Sequence, residues 1–220
     1  MAPRRRTVRR RAPLRRKRRI IRRRKIRYRR RPRTGNLTVI TRDTTVHALH
    51  PSDGKTLPIE ITLSSFEETA PFFPYFESYR IHSVTVRVSP LFNVTNGALP
   101  IPRYYSAPWH RKAPATINTG QILSLDRAKS YAGTSASVRR FVPAVLTTTN
   151  VVGNPNNMLG KINWRPKIAL EATAQSIPHY CGIYHWSADQ IQTPEPQTYR
   201  QYEVEITAKI TFYTQKNFVG

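Results

Sequence analysis

YEVEITAKITFY, residues 202 to 213, is the stretch that decides the fold class. Tyr202, Val204, Ile206, Ala208, Ile210 and Phe212 occupy one parity, and Glu203, Glu205, Thr207, Lys209, Thr211 and Tyr213 the other. Successive side chains of a strand point to opposite faces, so this period of two sets six apolar positions in a row against a core. The same alternation predicts a strand over Arg80 to Ser89, with Val84, Val86 and Val88 on one face, Thr85 and Arg87 on the other, and Pro90 at its end. Ile59, Ile61 and Leu63 against Glu60, Thr62 and Ser64 predict a third, entered after a turn bracketed by Gly54 and Pro58.

Outward from these, Leu37 to Ala48 is rich in β-branched residues and reads as a strand. FEETAPFFPYFESY, Phe66 to Tyr79, concentrates large aromatics beside Pro71 and Pro74, which forbid a long helix. A short helical turn and a crossover lying on the core are expected there. Ile162 to Ala174 reads as a strand with Ile162, Trp164, Ile168, Leu170 and Ala172 inward and Arg165, Lys167, Glu171 and Thr173 outward, Pro166 marking an edge or a bulge. HYCGIYHW, His179 to Trp186, reads as another, half-buried strand.

Residues 90 to 160 are punctuated by Pro90, Pro100, Pro102, Pro108, Pro114, Pro143 and Pro155. Short strands are expected at Ile101 to Tyr105 and Val138 to Leu146, joined by long excursions. Seven or eight strands, no convincing amphipathic helix and long Pro-rich loops predict an all-β fold, an antiparallel sandwich. Long loops at its ends favour a jelly roll over an immunoglobulin-like domain.

The amino-terminal segment is a different material. MAPRRRTVRRRAPLRRKRRIIRRRKIRYRRRPR holds Arg4, Arg5, Arg6, Arg9, Arg10, Arg11, Arg15, Arg16, Lys17, Arg18, Arg19, Arg22, Arg23, Arg24, Lys25, Arg27, Arg29, Arg30, Arg31 and Arg33, and no acidic residue. These 20 of the chain's 37 basic residues leave 17 to face all 12 acidic ones, so the arm carries +20 of the net +25 and the rest only +5. The domain boundary is read at residue 35, with an arm over 1–35 and a single β domain over 36–220. Such a run repels itself, and Val8, Leu14, Ile20, Ile21, Ile26 and Tyr28 are too few to offset the entropy of ordering. A disordered arm is therefore expected until an anion neutralises it.

Eighteen of the arm's basic residues are arginine, whose guanidinium fork matches phosphate oxygens bidentately. Tyr28 is its one aromatic, so the arm is built to gather a phosphate polymer without reading bases. RRKRR (Arg15 to Arg19) and RRRK (Arg22 to Lys25) also fit nuclear import signals. A transit peptide fits poorly, because Thr7 is the arm's one Ser or Thr and Pro3 and Pro13 break any amphipathic spacing. No apolar run reaches the roughly 18 residues of a membrane span. The single cysteine, Cys181, excludes an internal disulfide and fits a reducing compartment.

Chemistry has few places to sit. His179, Cys181 and His185 share one parity and invite a zinc reading, but a fourth ligand has no source and Ile183 lies among them. His47 and His50 near Asp53 point to a turn more than to a base. No phosphate-cradling glycine motif is present, and Glu67 and Glu68 are the only adjacent acidic pair. No catalytic site, metal site or cofactor is expected.

The arm, then SYRIHSVTVRVSP (Ser78 to Pro90), a Pro-rich middle and a closing YEVEITAKITFYTQKNF (Tyr202 to Phe218) resemble the capsid proteins of circoviruses and related small circular single-stranded DNA viruses. The YRI-x-x-V-x-V pattern at Tyr79 to Val86 and the final strand carry the resemblance best. It implies a jelly-roll subunit, about sixty copies of which close an icosahedral shell by point symmetry. It also implies that the arm lies inward with the viral DNA and meets host nuclear import receptors, and that outer loops attach to the host cell, with acidic surface glycans as a first contact. Virion and host nucleus are the implied locations. About sixty such arms would neutralise roughly 1,200 phosphates by counterion exchange, a match to a small genome. The alternative is a cellular RNA-binding or ribosomal protein with an Arg-rich tail, against which the near-balanced β domain stands.

Overall fold

A computed structural model describes residues 35–49, 54–92, 101–114, 117–151, 154–188 and 200–216. The described residues all belong to the unit from Arg33 to Gly220. The expectations for the arm, and for His50 and Asp53, lie outside them.

The strands are β1 (Leu37–Leu49), β2 (Lys55–Ile61), β3 (Phe76–Pro90), β4 (Tyr104–Pro108), β5 (Lys129–Tyr131), β6 (Ser137–Phe141), β7 (Ala144–Val151), β8 (Asn154–Trp164), β9 (Ile168–Ala169), β10 (His179–Trp186) and β11 (Arg200–Gln215). Among the described residues one short α-helix, α1, spans Thr119–Leu123. The first sheet runs β1-β11-β3-β6, with β9 on the part of β3 that β6 leaves free. In the second, β10 is central, with β2 along one side, β4 then β5 on the other, and β7 and β8 continuing from its start. Every pairing is antiparallel, and the strand last in the chain lies between two of the first. This is jelly-roll wiring, two antiparallel sheets face to face, as the sequence predicts.

β11 explains why the sandwich closes. Tyr202, Val204, Ala208, Ile210 and Phe212 are buried against the second sheet, each large side chain contributing about 1.5–3 kcal/mol. β1 and β3 flank it along almost its whole length, so its backbone is paired on both sides. On β3 the same rule holds for Val84, Val86 and Val88, but Tyr79 and Ile81 are buried too, on the opposite parity. The register shows how. Lys209 pairs with Ser83 and Ile210 with Ile81, so His82 is an extra residue, a bulge that resets the alternation.

A second bulge lies on β10. Tyr180 pairs with Glu60 and Gly182 with Ile59, leaving Cys181 unpaired on β2. Gly182 is required there, because a Cβ would come within 2.5 Å of the Phe141 ring and 2.8 Å of the Ala107 carbonyl. β10 is buried on both faces rather than half-buried. Its inner face joins the main core through Cys181, Tyr184 and Trp186. Its outer face is covered by the segment around α1, where Ile122 packs with Ala107 and Ile183. Asn118 starts α1 with a reciprocal cap: its Oδ1 accepts from the Gln121 backbone N–H at 2.8 Å, and Gln121 Oε1 accepts from the Asn118 N–H at 3.0 Å.

Several expectations are corrected. The described residues hold eleven strands, not seven or eight, because 90–160 contributes five instead of two. Val138 to Leu146 is two strands, not one: Val142 and Pro143 part β6 in the first sheet from β7 in the second. Pro58 lies inside β2, tolerated because β2 is an edge. The turn over Glu67–Tyr75 is as expected, but β3 starts at Phe76 rather than Arg80. Ile162 to Ala174 is not one strand. Arg165 turns left-handed at φ 47°, Pro166 breaks the ladder, Trp164 is 54% exposed and Ala172 is exposed. His47 stands within β1, opposite Tyr202, and not in a turn.

Candidate nucleic-acid interface

The twenty arm residues singled out from the sequence precede the described residues, which begin at Gly35. The chain enters the domain at Gly35, whose carbonyl accepts from the Gln215 N–H at 3.2 Å, and Asn36 Oδ1 accepts from the Thr214 N–H at 3.2 Å. Leu37 pairs with Phe212, so the root of the arm and the end of β11 share one edge of the first sheet.

From that root a polar chain crosses the outward face. Thr38 Oγ1 lies 2.9 Å from Thr211 Oγ1, and Thr211 Oγ1 lies 2.9 Å from His82 Nε2. The Tyr213 hydroxyl lies 3.5 Å from the same nitrogen. The bulge turns His82 outward to meet them. Around this chain the sheet collects positive charge. The Arg80 guanidinium carbon is 5.9 Å from the Tyr213 ring centre and Lys167 Nζ is 5.1 Å from it. Lys167 arrives because Ile168 of β9 pairs with Tyr79, which carries the residue before it alongside Arg80. Lys209 is exposed one step further along β11. Burial holds the His82 imidazole below its ordinary pKa, and the charges of Arg80, Lys209 and Arg165 push it lower still.

No ion pair among the described residues offsets these cations. Among the described residues, the ion pairs are Arg42–Glu205 at 3.2 Å and Arg127–Asp126 at 3.5 Å, and neither involves Arg80, Arg165, Lys167 or Lys209. None of this patch was foreseen as a site. Its members come from β1, β3, β11 and the segment leading into β9; the period of the closing strand places Lys209, Thr211 and Tyr213 outward, and Arg165 and Lys167 were expected outward on a strand that does not form.

The histidines and cysteine of β10 are buried for packing. His179 Nδ1 is 3.0 Å from the Ile177 carbonyl, its ring is 5.8 Å from that of Tyr79, and burial lowers its pKa to about 4. His185 instead meets Thr56 Oγ1 at 3.2 Å and Thr119 Oγ1 of α1 at 3.5 Å. The Cys181 bulge breaks the parity, so the trio expected on one face is split between the inner and outer faces. Burial drives the Cys181 thiol far above its ordinary pKa, keeping it a protonated hydrophobe. No group of three or more metal-ligating side chains occurs among the described residues. Arg139 is buried without a carboxylate, donating to the Ser106 carbonyl and hydroxyl and to the Arg127 carbonyl, and stacking over Phe141 at 5.2 Å. It ties β6 to β4 across the sandwich.

The family model described as circovirus capsid protein matches residues 3–216, arm and β domain together. This chain belongs to the circovirus capsid protein family. Among curated proteins, the capsid protein of Human associated cyclovirus 1 is 31% identical over 162 residues, which is 72% of this chain and 73% of that one. Among solved structures, the BFDV capsid protein crystallised as a 60-mer superposes with a TM-score of 0.67 at 16% identity, over 85% of this chain and 98% of the other. The decameric form of the BFDV capsid protein gives a TM-score of 0.58 at 15% identity, over 80% and 99%. At that identity the structural likenesses establish the jelly-roll fold. The family match establishes a viral capsid protein, a structural component of the virion and not an enzyme.

Proposed function

We propose that this capsid protein closes into an icosahedral homo-oligomeric shell of about sixty copies and packs a circular single-stranded DNA genome through its arm. The observation that carries the reading is the charge partition, +20 of the net +25 between Arg4 and Arg33. Subunits bearing the whole charge on their outer surfaces would repel one another. Moving it into the arm leaves β domains that can approach, so assembly and neutralisation of the genome become linked steps. The BFDV capsid protein, with the same fold, forms a 60-mer, which supports a shell of that size. The basic clusters of the arm serve nuclear import as well, which places assembly in the host nucleus. Loops on the outside of the shell attach to the host cell, with acidic glycans as the first contact.

The test replaces Arg15, Arg16, Lys17, Arg18 and Arg19 together by glutamine and follows single-strand DNA binding against salt. Each lost phosphate contact lowers the slope of log affinity on log salt by about 0.7, so a decrease of about 3.5 is expected. Purified particles should also carry less nucleic acid. An unchanged slope would contradict packaging by the arm.

A further inference from the structure

We propose that the outward face of the first sheet, at the root of the arm, is a second and structured contact for single-stranded nucleic acid, with backbone phosphates held by Arg80, Lys167 and Lys209 and a base set against Tyr213. The proposal rests on the arm's being a genome-binding segment and adds to it a fixed foothold on the β domain.

Four observations carry it. Arg80 and Lys167 are brought side by side over one tyrosine by the β3–β9 ladder, and Lys209 and Arg165 add charge to the same face. Like charges gathered on one face of a sheet repel, and none of the ion pairs among the described residues relieves these four. A polyanion would. Tyr213 lies under two cations, an aromatic beside phosphate-binding charge as single strands use, with a base taking the ring face as the cations turn to phosphates. The Thr38, Thr211, His82 and Tyr213 chain offers neutral hydroxyl and imidazole groups to phosphate or sugar oxygens between the cations. Finally, the patch lies beside Asn36, whose side chain meets the backbone next to Tyr213. Two residues separate Arg33 from Asn36, a chain span of at most about 10 Å, so one strand can engage both Arg33 and this face.

Two experiments on the full-length protein decide it. In the first, single-stranded DNA carrying iodouracil is photocrosslinked to the wild-type protein and the adducts are mapped. Adducts at both Tyr28 and Tyr213 are expected. Adducts at Tyr28 without Tyr213 overturn the foothold and leave the arm reading standing; adducts at Tyr213 without Tyr28 support the foothold and count against the arm. Adducts at neither overturn both. In the second, Arg80→Gln, Lys167→Gln and Lys209→Gln are combined and the salt dependence of binding is measured. Loss of three phosphate contacts should lower the slope by about 2. An unchanged slope, or a loss confined to a heparin oligosaccharide with DNA binding intact, overturns the assignment to nucleic acid.

Discussion

The two sheets are alike on their inner faces and opposite on their outer ones. Outside the second sheet, the segment around α1 lays Ile122 on Ala107 and Ile183, and β10 is buried on both sides. Outside the first, Thr211 and Ser83 are buried among their neighbours and Lys167 lies over Tyr213, but the surface alternates threonine with arginine, lysine and glutamate and leaves Ile40 68% and Val138 64% exposed. One outer face is finished within the subunit. The other is left open and, at the root of the arm, cationic, which is the physical ground for giving it a partner.

The largest effect that tests this contrast is on stability. Ile122→Ala should cost about 2–5 kcal/mol in urea unfolding, as for other fully buried aliphatics, whereas Ile40→Ala on the bare face should stay within about 0.5 kcal/mol. Equal costs would mean that the two faces are not different in kind.

Next in size is a pH effect from the inner side of β10. Burial holds the His179 pKa at about 4, below its ordinary 6.5, so the unfolded chain takes up the proton first as pH falls. Stability is therefore full above pH 6.5 and declines toward pH 4, by up to about 1.4 kcal/mol per pH unit. His179→Gln should flatten that decline. His185, which meets Thr119 on the outer side, is lowered by burial as well, and replacing it should flatten the decline less.

A smaller effect checks how tightly the layers close. Gly182→Ala should cost about 1–3 kcal/mol, because its Cβ would meet the Phe141 ring, and Phe141→Leu in the same chain should recover part of that loss. Additive costs in the double variant would show that the two sites do not touch.

What could be read from the sequence follows from the same contrast. β11 and the second half of β3 were legible because one face meets the core and the other meets water, which writes a clean period of two. β10 was legible as a strand but not as a doubly buried one, because its cover comes from residues more than fifty positions earlier. The bulges at His82 and Cys181 shift parity without any glycine or proline at the shifted residue, so Tyr79, Ile81 and the His179, Cys181 and His185 trio were beyond pattern reading. Pro166 was read as an edge or a bulge inside one strand, whereas Arg165 turns left-handed there, the strand ends and Trp164 is exposed. The ligand expected of the arm is read from its composition alone, and the arm lies outside the described residues. The Tyr213 patch was not legible in that way, because pairing among β3, β9 and β11 creates it and no linear segment contains it.

The central claim is that the charge that binds nucleic acid and the interactions that hold the fold are separable. It is tested most directly by deleting residues 2 to 33 and following cooperative unfolding and single-strand DNA binding on the same preparation. The account predicts a β domain whose unfolding midpoint stays within a few degrees of the full chain. Binding should be reduced to a weak remainder that disappears when Arg80, Lys167 and Lys209 are also replaced. A deleted protein that no longer unfolds cooperatively, or that binds DNA as tightly as the full chain, would contradict it.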